Sequence, residues 1–327
     1  MAISANAQIE FEAGQTLVPT AELTDSGDHT TFEGATAPWS MVSGKQPTVT
    51  PNGLSTGGAV IPAVSGTNDL VDVQALTCYL AGVLTTVAAD TDVTVSRGAD
   101  TDTHRITSIT VTNVGAIAAV AGADGIAFSE TRGANGGPPL IAVGSIEIAQ
   151  VRTTSTSAAA ITDDEILAVI GQHCERYDFP AWDTNPLDGT VTFGSELPLI
   201  HTGSVPKKVY ASYYTPIYQA VSRAVDFKPC EATYGVTSQE YYGGVVGGSS
   251  SSMGQGGFTA MLTDGHTDSL LAAAGNNILV KFKQDRNRAP YSLTQGILGI
   301  TRTYPKSQQV QATCTLTAEL ETKDFPG

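Results

Sequence analysis

Two histidines, a cysteine and a glutamate are the first residues here that could do chemistry together. His173-Cys174-Glu175, with His201 further along, would supply a thiolate, a base and an orienting carboxylate if the fold joined them. The competing reading is structural: Cys174 sits at the buried end of a helix and His173 helps satisfy its last carbonyls. Geometry and not adjacency defines a nucleophile with its base, so the structural reading is preferred and no catalytic residue is assigned. Asp90, Asp92, Asp100 and Asp102 resemble an acidic calcium cradle. They lack the D-x-D-x-D-G loop with its closing glutamate, so solvated hairpin loops are the better account and no metal is expected. Cys78, Cys174, Cys230 and Cys314 show no C-x-x-C pairing, which argues against a zinc ribbon and a disulfide framework and leaves four buried thiols.

The nucleotide-binding and zinc-protease motifs are missing as well. Gly44-Lys45 has Trp39 where a P-loop requires its first glycine, and Gly254-Gln255-Gly256 meets Thr259 where a dinucleotide fingerprint needs its third. No H-E-x-x-H occurs, and no enzyme class and no cofactor is assigned.

What remains is chemistry of association. The formal net charge is −15, and residues 1–180 carry 20 acidic and 6 basic side chains against 12 and 11 in residues 181–327. The one basic concentration, Lys281 to Arg288, contains Lys281, Lys283, Arg286 and Arg288. It is too small to grip DNA phosphates tightly and reads either as one solvated strand face or as an interface that meets the acidic half of a neighbouring copy. Residues 243–257, which include Gly247, Ser250 and Gly256, are almost all glycine and serine and read as a flexible loop of roughly 15 residues, long enough to carry a function.

These segments need a scaffold, and the composition describes one. Apolar residues make up 41% and charged residues 15%, with abundant Gly, Ser, Thr, Ala and Val, as in a β-rich fold with many turns. Residues 1–59 alternate short strands with loops. Residues 60–155 carry closely spaced alternating runs, including Arg105 to Val111 and Ser145 to Arg152, and predict an additional all-β, Ig-like sandwich module. Thr162 and Glu165 form a capping box that predicts a short helix within 163–174. A second helix is expected near 267–275, capped by Thr267 and closed by Gly275. Strands are expected over Gly189 to Phe193, Lys207 to Tyr218, Ile278 to Phe282, Gly296 to Tyr304 and Val310 to Leu320. No apolar run reaches the ~18 residues of a membrane helix, and no basic-plus-apolar secretory start is present, so synthesis and assembly in a cytosol are expected.

From Lys207 onward the pattern of strands, one short helix and a closing TCTLTAEL strand resembles the tail tube proteins of long-tailed phages. The segments GGPPLIAVGSIEIAQVRTT (Gly136 to Thr154), ITDDEI and ERYDFPAW (Glu175 to Trp182) are similar to stretches of the major tail proteins of Mu-like siphophages. The resemblance implies a tail-tube-type β-sandwich or half-barrel, contributed by residues 156–327 together with strands from 1–59. It implies a subunit that joins copies of itself into rings, hexameric or trimeric and pseudo-hexameric, stacked into the hollow tube of a virion. Its implied partners are the tape measure protein and the tail completion and distal tail proteins, with double-stranded genomic DNA passing through the lumen unbound and no membrane involved. Open sheet edges suit such polymerisation. The alternative reading is a phage or bacterial surface adhesin built of all-β domains.

Overall fold

The computed structural model describes residues 6–99, 103–154, 156–241 and 244–326. Nearly all its regular structure is antiparallel strand, with one short α-helix, Ser269–Ala272, so the chain is a mainly-β sandwich fold.

The largest sheet has nine strands. Its order runs Ala224–Lys228, Gly256–Leu262, Val310–Thr317, Tyr291–Thr303, Asn277–Lys283, Gln8–Glu22, Tyr210–Ala220, Thr48–Val49, with Lys323–Phe325 paired beside Tyr291–Thr303. Alternation explains its inner face: Phe258, Ala260 and Leu262 on one strand and Ala312, Cys314 and Leu316 on the next are buried, while the residues between them are less so. Ile9, Phe11, Ile278, Val280 and Leu298 join them, and Leu270 of the helix enters the same core. The sheet curls. Phe227, on the first strand of the order, stacks on Phe282 of the fifth at 4.5 Å, and the backbone N–H of Val221 donates to the carbonyl of Ile9. The strand Ala224–Lys228 therefore lies back near Gln8–Glu22 without pairing to it, and the result is a half-barrel.

A second core gathers Leu54, Val71, Val73, Leu76, Cys78, Ile109, Val111, Ile146, Ile148, Val151, Ile161 and Cys174 between three small sheets. A third, around Trp39 stacked on Tyr213 at 4.7 Å, with Phe32, Val191, Phe193 and Leu197, joins residues from the two halves of the chain. Gly53 marks one of the closest approaches, because a Cβ there would meet the backbone nitrogen of Tyr177 at 2.4 Å; Leu54 consequently bridges to Arg176.

Three local expectations are corrected. The capping box at Thr162 and Glu165 forms, yet it opens only a single 3-10 turn, Asp163–Glu165, after which Ile166–Leu167 pairs as a strand with Gln150 and Val151. Strand pairing takes the apolar Ile166 and Leu167 out of the helix, so no helix extends to residue 174. The cap of the true helix is Asp268, whose carboxylate accepts from Leu270 N at 3.1 Å, whereas Thr267 Oγ1 is held by Asp264. The glycine-serine stretch is not a loop. Ala232–Tyr241 and Gly244–Met253 form a ten-pair antiparallel hairpin, because backbone hydrogen bonding needs no apolar side chain.

Candidate functional site

Two regions combine the residues singled out above: the half-barrel edge with its hairpin, and a polar cavity near the middle of the chain.

The hairpin pairs along its whole length with itself and with no other strand among the described residues. Gly247 lies opposite Ser238 and Ser250 opposite Gly235, and Tyr234 is 78% exposed. Its base is anchored: Gly254 N donates to the Glu231 carbonyl, Ala232 N to Glu321, and Met253 packs on the barrel core. Gly256 does not belong to this surface. It is buried in the barrel sheet opposite Leu316, where a Cβ would lie 2.6 Å from Cys230 Sγ and 2.7 Å from the Lys228 carbonyl.

The basic stretch is already engaged within its own chain. Lys281 Nζ lies 4.0 Å above the Tyr291 ring and 5.3 Å from that of Tyr218, and burial pulls its pKa down. Lys283 Nζ meets Glu10 Oε1 at 2.9 Å. Arg286 N donates to the Asn6 carbonyl, and Arg288 sits 3.6 Å from Asp285. Charge on this face is thus largely internal to the subunit.

The cavity, about 380 Å³ in volume, holds the His173-Cys174-Glu175 neighbourhood. A bulge shapes it. Ile109 pairs with Ala149 and Thr110 with Glu147, leaving Ile148 as the extra residue, so that Glu147 and Gln150, three apart, come to the same side. Glu147 accepts from Ser108 Oγ, both terminal nitrogens of Arg132, and Gln150 Nε2 at 3.2 Å. The two glutamates are cross-bonded: Glu147 N donates to Glu175 Oε2 at 2.7 Å, and Glu175 N to the Glu147 carbonyl at 2.8 Å. Lys207, 2% exposed, donates from Nζ to the carbonyls of Arg176 and Phe179. Burial pushes the Glu175 carboxyl up to about 7, with the Lys207 ammonium acting against it, and burial lowers Lys207 to about 8.

These residues do not form the nucleophile arrangement considered for the sequence. Burial holds the Cys174 thiol at about 11, so it is protonated at neutral pH. His173 Nε2 faces Arg152 at 3.2 Å, and the ring of His201 is placed between the carbonyls of Ser145 at 2.9 Å and Pro206 at 3.2 Å. Among the described residues no hydrogen bond joins Cys174 to either histidine. The other three cysteines are buried free thiols. Asp92 N and Val64 N both donate to Asp72, and Ser65 to Asp92, which makes this a capped turn; Asp100 and Asp102 lie outside the described residues. No group of three or more His, Cys, Asp or Glu among the described residues is placed to hold a metal ion.

Comparison with family models, with curated proteins and with solved structures finds no match to this chain. Its function is therefore argued from the two regions themselves. Sequence reasoning missed both the hairpin and the Glu147–Gln150 pairing; the second is hidden because strict alternation would place residues three apart on opposite faces.

Proposed function

We propose that this chain is a structural subunit of a phage virion that joins copies of itself into stacked rings, forming the hollow tail tube through which double-stranded DNA passes. The observation that carries the reading is the hairpin Ala232–Tyr241 and Gly244–Met253, which projects from the half-barrel and pairs with nothing else among the described residues. A two-stranded hairpin is at best marginally stable alone in water, so one ten pairs long, with Tyr234 exposed near its base, is suited to a neighbouring surface. The edge strand Ala224–Lys228 points the same way: it is paired on one side only, and Val225 is 46% exposed. Unpaired edges are a hazard to a monomer and an asset to a polymer.

Ring formation would leave the tape measure and tail-end proteins as further partners, with DNA passing along a lumen poor in free cations. Lys281 and Lys283 being engaged internally accords with DNA that slides instead of sticking. Sedimentation velocity at rising protein concentration tests the reading. The wild type is expected to pass from monomer to rings and larger species, and Val225→Lys, which places a charge on the open edge, to remain monomeric with an unchanged melting profile. A wild type that stays monomeric throughout, even with tail initiator proteins added, would refute it.

A further inference from the structure

The polar cavity is unused by the assembly reading, and its lining has a chemical bias. Gln150 is 1% exposed, and its Nε2 donates to the acceptor-only carboxylate of Glu147, which fixes the amide the other way round from a flipped one. Its Oε1 consequently has no partner, and neither has Oε1 of Glu175. Both side chains line the cavity. Two buried acceptors without donors are costly to keep, and both ask for the same thing.

The cations around them are committed elsewhere. Arg132 is held by Glu147 and the Pro139 carbonyl, Arg176 by Asp178, and Lys207 donates to two carbonyls. Glu196, also lining the cavity, is exposed and has no ion pair among the described residues. One side of the wall is apolar: Phe179, 48% exposed, and Leu199 with Pro180 and Pro198, while Glu130, Gln172 and Ser195 add polar groups. Such a volume lies within the several-hundred-Å³ range of small-ligand sites, and an aromatic ring beside carboxylates suits a cation on a hydrocarbon stem.

We propose that this cavity binds a small organic cation, a primary ammonium or guanidinium group on an apolar stem, whose N–H groups are received by Gln150 and Glu175 while Phe179 and Leu199 cover the stem. A divalent metal is the poorer fit, since it requires six or more oxygen ligands or a tighter cluster of donors than the cavity offers.

Isothermal titration calorimetry of the full chain decides the matter, with n-butylammonium, n-butylguanidinium and the neutral n-pentanol as probes. The cations are expected to bind one per chain, and pentanol about ten-fold more weakly or worse. Gln150→Leu and Glu175→Gln should each weaken n-butylammonium by about ten-fold, and Glu196→Gln by about three-fold, while the exposed and remote Glu319→Gln leaves it unchanged. Glu196→Gln touches no buried group, so it keeps the test valid should either buried variant fail to fold. A further titration with Nα-acetyl-lysine amide separates sources: its binding, lost in the same variants, points to a side chain of another protein, and its exclusion to a free amine. Equal affinity for pentanol and n-butylammonium, or no heat from either cation up to tens of millimolar, would overturn the proposal.

Discussion

At the scale of residues, Glu12, Asp72, Glu147 and Glu175 are buried carboxylates that a β-rich sequence would be expected to keep in water. Glu12, on the longest strand, accepts from Ser40, Gln15 and the N–H of Leu279, the donor left over where pairing between Gln8–Glu22 and Asn277–Lys283 stops at Phe11. Glu147 and Glu175 are cross-bonded at the cavity. Burial raises Glu12 and Glu175 above the ordinary carboxylate value of 4.5. The sign follows from proton counting: between 4.5 and about 7 Glu175 keeps its proton in the fold and loses it in the unfolded chain, so its contribution to stability falls as pH rises through that window. Lys207 works in the other direction at higher pH, because its folded value lies below 10.5. Glu175→Gln keeps an acceptor for the Glu147 N–H and removes the titration. Relative to wild type, the variant's urea midpoint is therefore expected to rise from about pH 5 to about pH 7.5. Parallel pH profiles for the two proteins would contradict this. Packing at Gly256 gives a second prediction: Gly256→Ala drives a Cβ against Cys230 and a backbone carbonyl and should destabilise by about 1–3 kcal/mol in urea unfolding. The four buried thiols were legible in the sequence from composition alone. The carboxylates were not, because their partners lie far along the chain: Leu279 is 267 residues from Glu12.

At the scale of elements, alternation located the barrel strands well. Val310 to Leu320 was expected as a strand and Val310–Thr317 is one, and the strand expected over Gly189 to Phe193 is found at Thr190–Phe193. Where side chains carry no apolar signal the reading failed. Gly244–Met253 contains Gly-Gly-Ser-Ser-Ser-Ser, which has no periodicity to detect, and its strand character comes only from the facing Ala232–Tyr241. The capping box failed for the opposite reason, since a correct local signal was overridden by pairing of Ile166 and Leu167 with Gln150 and Val151. The hairpin yields its own prediction. Replacing Thr233–Ser252 by a two-residue turn removes no core residue among the described ones, so the melting temperature should fall by less than about 4 °C, within the shift for 1 kcal/mol in a chain of this size. The same change should abolish self-association in light scattering; assembly that proceeds as in the wild type would remove the hairpin from the account.

At the scale of the whole molecule, the cores around Phe258, Cys78 and Trp39 are tied into one chain by strands that return from distant sequence: Gln8–Glu22 runs beside Tyr210–Ala220 through two bulges, and Thr31–Glu33 beside Thr190–Phe193. The half-barrel leaves the edge strand Ala224–Lys228 open and lifts the hairpin beside it, while the smaller sheets around Cys78 and Ile109 share a core of their own. Sequence conveyed the β class of this architecture. It could not convey the curl, which depends on Phe227 meeting Phe282 across 55 positions of chain. The central claim, that the open edge and hairpin exist to join copies, is tested most directly by negative-stain electron microscopy of the purified chain at rising concentration. The account predicts rings of uniform diameter that stack into hollow tubes. Particles that remain single and compact at every concentration, with tail initiator proteins present, would contradict it.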